Sequence, residues 1–456
     1  MHWISFFACC SVIVSPSGPA EPGVGPARTC PARAESPGLN AAAVRAADIS
    51  SPKGAHDNMQ VELSAVWTLV AALVTIAVGR RINHAVPWIE RGNIPPAVTA
   101  GLLLSLVLAG LRAGDWLDVR FATAPRDALL LVFFASLGFG AHLARLASAG
   151  KGALVICVAI TVAVLAQNAA GIALAEAFGE PRALGLFLGS IAFLGGHGTA
   201  TAWASSAEAA ALPGAFEVGI GAATLGLVLG GLVAGPVAVW LATRSVGEAR
   251  HATVFGPAAS APGPEREAPF SSDRWLLPLL WLLVCVAAGP WLREWAAARG
   301  MQAPTFLAVL LVGVLVTNLA DAARRPLDTQ VTDLVGTVAL RIFLAIAMMS
   351  LDWIQLVEKL PLLLAGAALQ ALIAVAIAVL VVYPLFGRDR EAAAASGGFI
   401  GFSLGTMPVG LAVMRRLNTT FGETPRALLA ITLAASLYTD TVNALIIAAL
   451  FRWLGG

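Results

Sequence analysis

Charge is what this sequence has least of. Only 12% of its 456 residues are Asp, Glu, Lys or Arg, against about 25% in an ordinary soluble domain. So few charges cannot solvate a chain that is 58% hydrophobic with a mean hydropathy of +0.80, which excludes a soluble globular protein. Cysteine is also scarce. Of five, Cys9, Cys10 and Cys30 precede the first long apolar run, and Cys157 and Cys285 sit inside later ones. No pair has metal-ligand or redox spacing, which argues against a disulfide framework. Basic patches are missing too: the net charge is +2 and the charges lie between apolar runs, so no nucleic-acid partner is implied. What remains is an integral membrane protein whose natural surroundings are lipid.

Residues 1–58 are rich in Pro, Gly, Ala and Ser. Their one apolar patch, Trp3 to Val14, lacks the basic flank of a good signal peptide. They read as a disordered leader or as a mis-assigned start, with Met59 as the alternative first residue; a cleaved signal is the other option.

Beyond them, ten apolar windows approach the ~20 residues that cross a bilayer as a helix. The first half gives Leu63–Gly79, Ile94–Leu111, Asp127–Leu146, Ala153–Phe178 and Phe216–Trp240. A polar linker, residues 243–273, divides the chain. The second half gives Trp275–Trp295, Thr305–Leu319, Asp333–Leu351, Pro361–Phe386 and Arg426–Trp453. Between the fourth and fifth window of each half lies one apolar segment broken by glycine, residues 183–206 and 391–416.

The first break is Gly195-Gly196-His197-Gly198-Thr199 and the second runs from Gly401 to Pro408. Each helix-interior glycine costs roughly 1 kcal/mol relative to alanine. The backbone groups that a break frees survive only inside protein or beside a water-filled cavity. Paired breaks in corresponding halves are the best sequence-level pointer to a transporter site.

The halves also match elsewhere: Pro95 with Pro304, Phe134-Ala135 with Leu344-Ala345, Gln167 with Gln370, and Gly198-Thr199 with Gly405-Thr406. The offsets, about 203 to 210 residues, point to an internal duplication, with chance likeness of apolar helices as the alternative. Five spans per half is an odd number, so the second copy is expected to be inverted. Lys and Arg favour one side of the membrane by roughly two to one. That bias places both termini outside and the linker in the cytoplasm. It also makes the broken segments re-entrant, the first from outside and the second from the cytoplasm. The expected architecture is all-α: ten transmembrane helices in two inverted five-helix repeats, 59–242 and 274–456, each with one re-entrant hairpin.

Helix termini near mid-membrane favour an anion. Gly196, Gly198 and Gly405 would let a ligand approach the backbone, and Thr199, Ser403 and Thr406 add hydroxyls. Tight helix packing is the alternative reason for such glycines. His197 bonds a carbonyl, meets a ligand carboxylate or has a proton-linked role; a zinc role lacks partner ligands. Gln167, Asn168 and Gln370 are amides in apolar helices, explicable by interhelical hydrogen bonds, with Gln167 and Asn168 also candidates for the substrate. Asp440 costs about 2.5–3.5 kcal/mol to insert, and with Thr439, Thr441 and Asn443 it offers hard oxygens for sodium. Gly401-Phe402-Ser403-Leu404-Gly405 satisfies the pattern of a hydrolase nucleophile elbow. That elbow needs a soluble sheet which nothing here provides, so no catalytic residue is assigned. A passive channel is the reading from another class, and no ring of charges supports it.

Two sequence blocks carry a family resemblance. They are Gly195-Gly196-His197-Gly198-Thr199 with Ala202-Trp203, and Thr224-Leu225-Gly226-Leu227-Val228-Leu229-Gly230-Gly231. Gly401-Phe402, Leu404-Gly405, Pro408 and Asp440-Thr441-Val442-Asn443 add to them. From about Val61 to its end the chain resembles the bacterial sodium–glutamate symporters. The resemblance implies a secondary transporter that imports L-glutamate with Na+ across the inner membrane. It implies alternating access by an elevator-like movement, a homodimer, and no organic cofactor. It places Gly196 to Thr199 in one loop and Gly401 to Thr406 in the other. Where the family pattern reads G-F-G-L-G-A-T-P, this chain has Gly401-Phe402-Ser403-Leu404-Gly405-Thr406-Met407-Pro408, and Ala200-Thr201 stands for a Gly-Ala pair. Those departures leave a sodium- or proton-coupled carrier of another small carboxylate as the alternative.

Overall fold

A computed structural model describes residues 59–86, 89, 94–144, 150–206, 212–244, 272–299, 304–324 and 327–455. The leader, most of the linker, and Leu146 at the end of the third expected span lie outside the described residues.

The chain opens with β1 (Met59–Glu62), then α1 (Ala65–Ala85), α2 (Pro96–Ala113), β2 (Leu117–Arg120), α3 (Thr123–Gly140) and α4 (Gly150–Ala177). A 3-10 turn (Arg182–Leu186) and α5 (Gly196–Ala204) make up the first broken segment, followed by α6 (Ala215–Thr243). After the linker come α7 (Ser272–Ala297), α8 (Thr305–Ala322), α9 (Thr329–Met349), the short α10 (Trp353–Glu358) and α11 (Leu360–Ile377). A π-helical stretch (Ala378–Val382) joins α11 to α12 (Tyr383–Phe386). The second broken segment is α13 (Arg390–Phe421). Last come α14 (Pro425–Ala434), a second π stretch (Ala435–Thr439) and α15 (Asp440–Gly455).

Eight helices among the described residues are long and apolar enough to cross a membrane. Two expected spans are not among them, for local reasons. Arg126 and Asp127 dilute the first turns of α3, and the π stretch divides the last span into α14 and α15. Pro95 and Pro304 are the residues immediately before α2 and α8. A proline's fixed φ suits a helix start, where its missing N–H costs nothing. The parallel pairing of β1 with β2, Met59 opposite Leu117 and Glu62 opposite Arg120, was not expected from the sequence.

Packing sorts the helices into two groups. One comprises α1, α2, α3, α7, α8 and α9; the other comprises α4, the first broken segment, α6, α11, α13 and α14. Between them runs a seam of aromatic rings. Trp203 of α5 meets Phe306 of α8 edge-on at 5.2 Å and stacks on Phe451 of α15 at 5.1 Å, while Phe134 of α3 backs Phe306 at 4.6 Å. Trp203 is fully buried. Short α10 also bridges the groups, since the Trp353 indole N–H donates to Ser105 Oγ of α2 at 2.9 Å while α10 packs on α6.

Candidate functional site

The first glycine-broken segment is α-helical only from Gly196 onward, after its 3-10 turn, and the second is interrupted within α13. In α13 the interruption is at Gly405 (φ −133°, ψ 19°) and Thr406 (φ 73°, ψ 168°). The left-handed φ of Thr406, a β-branched residue, is a strained conformation. On either side of it the arms lie against one another: a side chain at Gly397 would touch Leu417, one at Gly398 would touch Met414, and Gly401 faces Gly410. In an unbroken helix residues 397 and 417 would stand ~30 Å apart. In the first segment, Phe187 before the break and Ala200 after it both border the bare Cα of Gly219.

The two breaks touch. Gly196, with φ +69°, has the side chain of Thr406 where its own Cβ would stand, so both its backbone and its surroundings require glycine. Beside them α6 presents Gly226 against the Leu404 carbonyl and Gly230 against the backbone of Gly401 and Gly405. This gives a packing reason for Gly226 and Gly230 of the Thr224 to Gly231 block, while Gly231 faces open space.

At the start of α5, no described residue accepts a hydrogen bond from the amides of His197 or Gly198, as befits the first turn of a helix. The ring of His197 is held by α6. Thr224 spends its one hydroxyl proton on the Ile220 carbonyl (2.9 Å), so it accepts from His197 Nε2–H at 3.1 Å. Gly198 leans toward Phe133 of α3 and Leu340 of α9, across the boundary between the two helix groups. Thr199 is buried beside Gly195.

Gln167 and Asn168, both fully buried on α4, bind different breaks. Gln167 Nε2 donates to the Ser403 carbonyl at 3.0 Å. Asn168 Nδ2 donates to Ser190 Oγ at 2.7 Å, and Ser190 N donates back to Asn168 Oδ1 at 3.2 Å. Ser190 Oγ in turn donates to Asn443 Oδ1 of α15 at 2.6 Å. Ser190, fully buried, joins three elements and was missed in the sequence reading; one serine in an apolar run carries no distinguishing signal there.

Asp440 and Thr441 open α15 directly after the π stretch, a distortion frequent at functional sites. The Asp440 carboxylate has no hydrogen-bond or ion-pair partner among the described residues. Asn443, one turn on, is committed to Ser190, and Thr439 Oγ1 donates within its own helix to the Ala434 carbonyl at 3.2 Å. Ser403 Oγ likewise donates locally, to the Ile400 carbonyl at 3.3 Å. His197 and Ser403 therefore do not form a nucleophile–base pair.

Residues 61–423 match the family described as sodium/glutamate symporter. Over 387 residues, 84% of this chain and 96% of the relative, it is 32% identical to the sodium/glutamate symporter of Escherichia coli K12. Over 397 residues, 86% and 98%, it is 31% identical to that of Haemophilus influenzae. The chain belongs to the sodium/glutamate symporter family. It is accordingly a multi-pass membrane transporter and not an enzyme, and both broken segments fall within the matched region.

Proposed function

We propose that the chain takes up L-glutamate together with sodium across the bacterial inner membrane by alternating access, and that its substrate binds where the two breaks meet. The observation that carries this reading is the contact of Gly196 with Thr406, which joins an interruption from each half of the chain. Helix termini that converge in this way offer N–H groups and hydroxyls to a carboxylate. Gly196, His197, Gly198 and Thr199 supply one side, Ser403, Gly405 and Thr406 the other, and Gln167 and Asn168 the wall. Sodium, the co-transported ion, binds among Thr439, Asp440, Thr441 and Asn443. Tighter binding of both solutes in one state than in the other couples their movements.

In this reading residues 59–242 and 274–456 are two inverted five-helix repeats, and the broken segments are re-entrant hairpins that enter from opposite faces. Both termini lie outside and the linker of residues 243–273 is cytoplasmic. The helix group containing the breaks moves against the other group within each subunit of a homodimer.

Purified protein in liposomes tests the proposal. Labelled glutamate should accumulate under an inward sodium gradient and not without one; uptake indifferent to sodium overturns the coupling. Competition by a panel of amino acids and dicarboxylic acids identifies the substrate. A related carboxylate outcompeting glutamate would favour the alternative raised by Ser403, Thr406 and Met407.

A further inference from the structure

Gln370 lies at the centre of α11, fully buried. Its Nε2 donates twice, to the Leu188 carbonyl of the first broken segment at 2.8 Å and to the Gln167 carbonyl of α4 at 2.9 Å. Gln167 in turn reaches the Ser403 carbonyl of the second broken segment. Each half therefore sends a mid-helix glutamine to the backbone of the other half's break, and the two glutamines are bonded to each other. Leu188 and Ser403, on different breaks, are joined through two side chains and one peptide carbonyl.

The two amides use only their nitrogens. Gln167 Oε1 and Gln370 Oε1 are buried and have no partner among the described residues. A buried carbonyl left unpaired costs about as much as one or two good hydrogen bonds return, so this crossing is a weak stabiliser. What the arrangement does supply is register, because it fixes how far each break can shift along the other.

We propose that Gln370 is a positioning residue for transport, holding the two breaks in the mutual placement that binds substrate. The proposal rests on the breaks being the glutamate site. It assigns Gln370 no contact with glutamate; the residue acts through Leu188 and Gln167.

The test is the kinetics of sodium-driven glutamate uptake in proteoliposomes, with the amount of reconstituted protein measured in parallel. Gln370→Met keeps the length and removes both donors. It should raise the KM for glutamate by about tenfold or more, with the protein still present in the vesicles. Because the two glutamines act as one brace, the double variant Gln167→Met/Gln370→Met should be no worse than the worse single variant. Gln370→Asn, which keeps an amide but falls one methylene short of Leu188, should shift KM in the same direction. A merely structural residue would lower the amount of protein and Vmax while KM stayed put, and that result, in either single variant, overturns the proposal. Effects that multiply in the double variant overturn it too. Thr406→Ala is measured alongside. If it raises KM while Gln370→Met does not, only the positioning role fails; if Thr406→Ala and Thr199→Ala both leave KM unchanged, the site itself is elsewhere.

Discussion

Thr406 rests its side chain against the bare Cα of Gly196, so a residue 210 positions down the chain closes the first break. At that contact one partner must be glycine and the other carries a strained backbone. Gly196→Ala should therefore abolish uptake. It adds a methyl where Thr406 already sits, and it forces a left-handed φ that costs an L-residue roughly 1–2 kcal/mol. Uptake per reconstituted molecule measures this; activity within about twofold of the parent would contradict the geometry.

Thr406 itself should separate stability from function. Thr406→Gly relieves a positive φ of 73° and so should leave the melting temperature unchanged or raise it, while removing the hydroxyl should weaken glutamate binding by about tenfold. A lower melting temperature with unaltered affinity would show that the strain serves packing alone.

Ser190 is the node between α4 and α15. Ser190→Ala leaves Asn168 Nδ2 and Asn443 Oδ1 without their partner in a buried site, a loss of about 1–3 kcal/mol. Thermal unfolding of detergent-solubilised protein should register it as a clear drop in melting temperature. No change would mean that water replaces the hydroxyl.

Asp440 begins a helix just after a π stretch, and its carboxylate has no partner among the described residues. Asp440→Asn should keep the protein in the membrane yet weaken its response to sodium, raising the sodium concentration for half-maximal uptake by about tenfold or more. An unaltered sodium dependence would move the ion elsewhere.

The sidedness of the breaks is open to labelling. With single cysteines in an otherwise cysteine-free protein, Arg388→Cys and Gly422→Cys flank the second segment and should both react from the cytoplasmic face. Arg182→Cys and Pro213→Cys flank the first and should react from outside. A pair split between the two faces would mean that its segment crosses the membrane.

Much of this architecture was legible in the sequence because lipid makes helix length and hydropathy decisive. α4 and α6 lie close to their expected windows, and α11 with its π stretch and α12 fills the one from Pro361 to Phe386. The glycine breaks were legible too, since glycine inside an apolar run is costly. The partners were not. Nothing in the sequence distinguishes Ser190 or Thr224 from other small hydroxyl residues, and Gln370 looked like an ordinary interhelical amide. The π stretches follow from how backbone hydrogen bonds shift along a helix, which composition does not encode. The pairing of β1 with β2 depends on four-residue strands meeting across α1 and α2, too short a pattern to read. Trp203 was quoted as part of a motif, and only the packing of α5 against α8 reveals it as the centre of an aromatic seam.

The most direct test of the shared site is substrate protection at Thr406. In an otherwise cysteine-free protein that still transports, Thr406→Cys is exposed to a small thiol reagent with and without glutamate and sodium. Glutamate should slow the reaction about tenfold when sodium is present and much less when it is absent. A labelling rate that glutamate leaves unchanged under both conditions would contradict the claim that the two breaks hold the substrate between them.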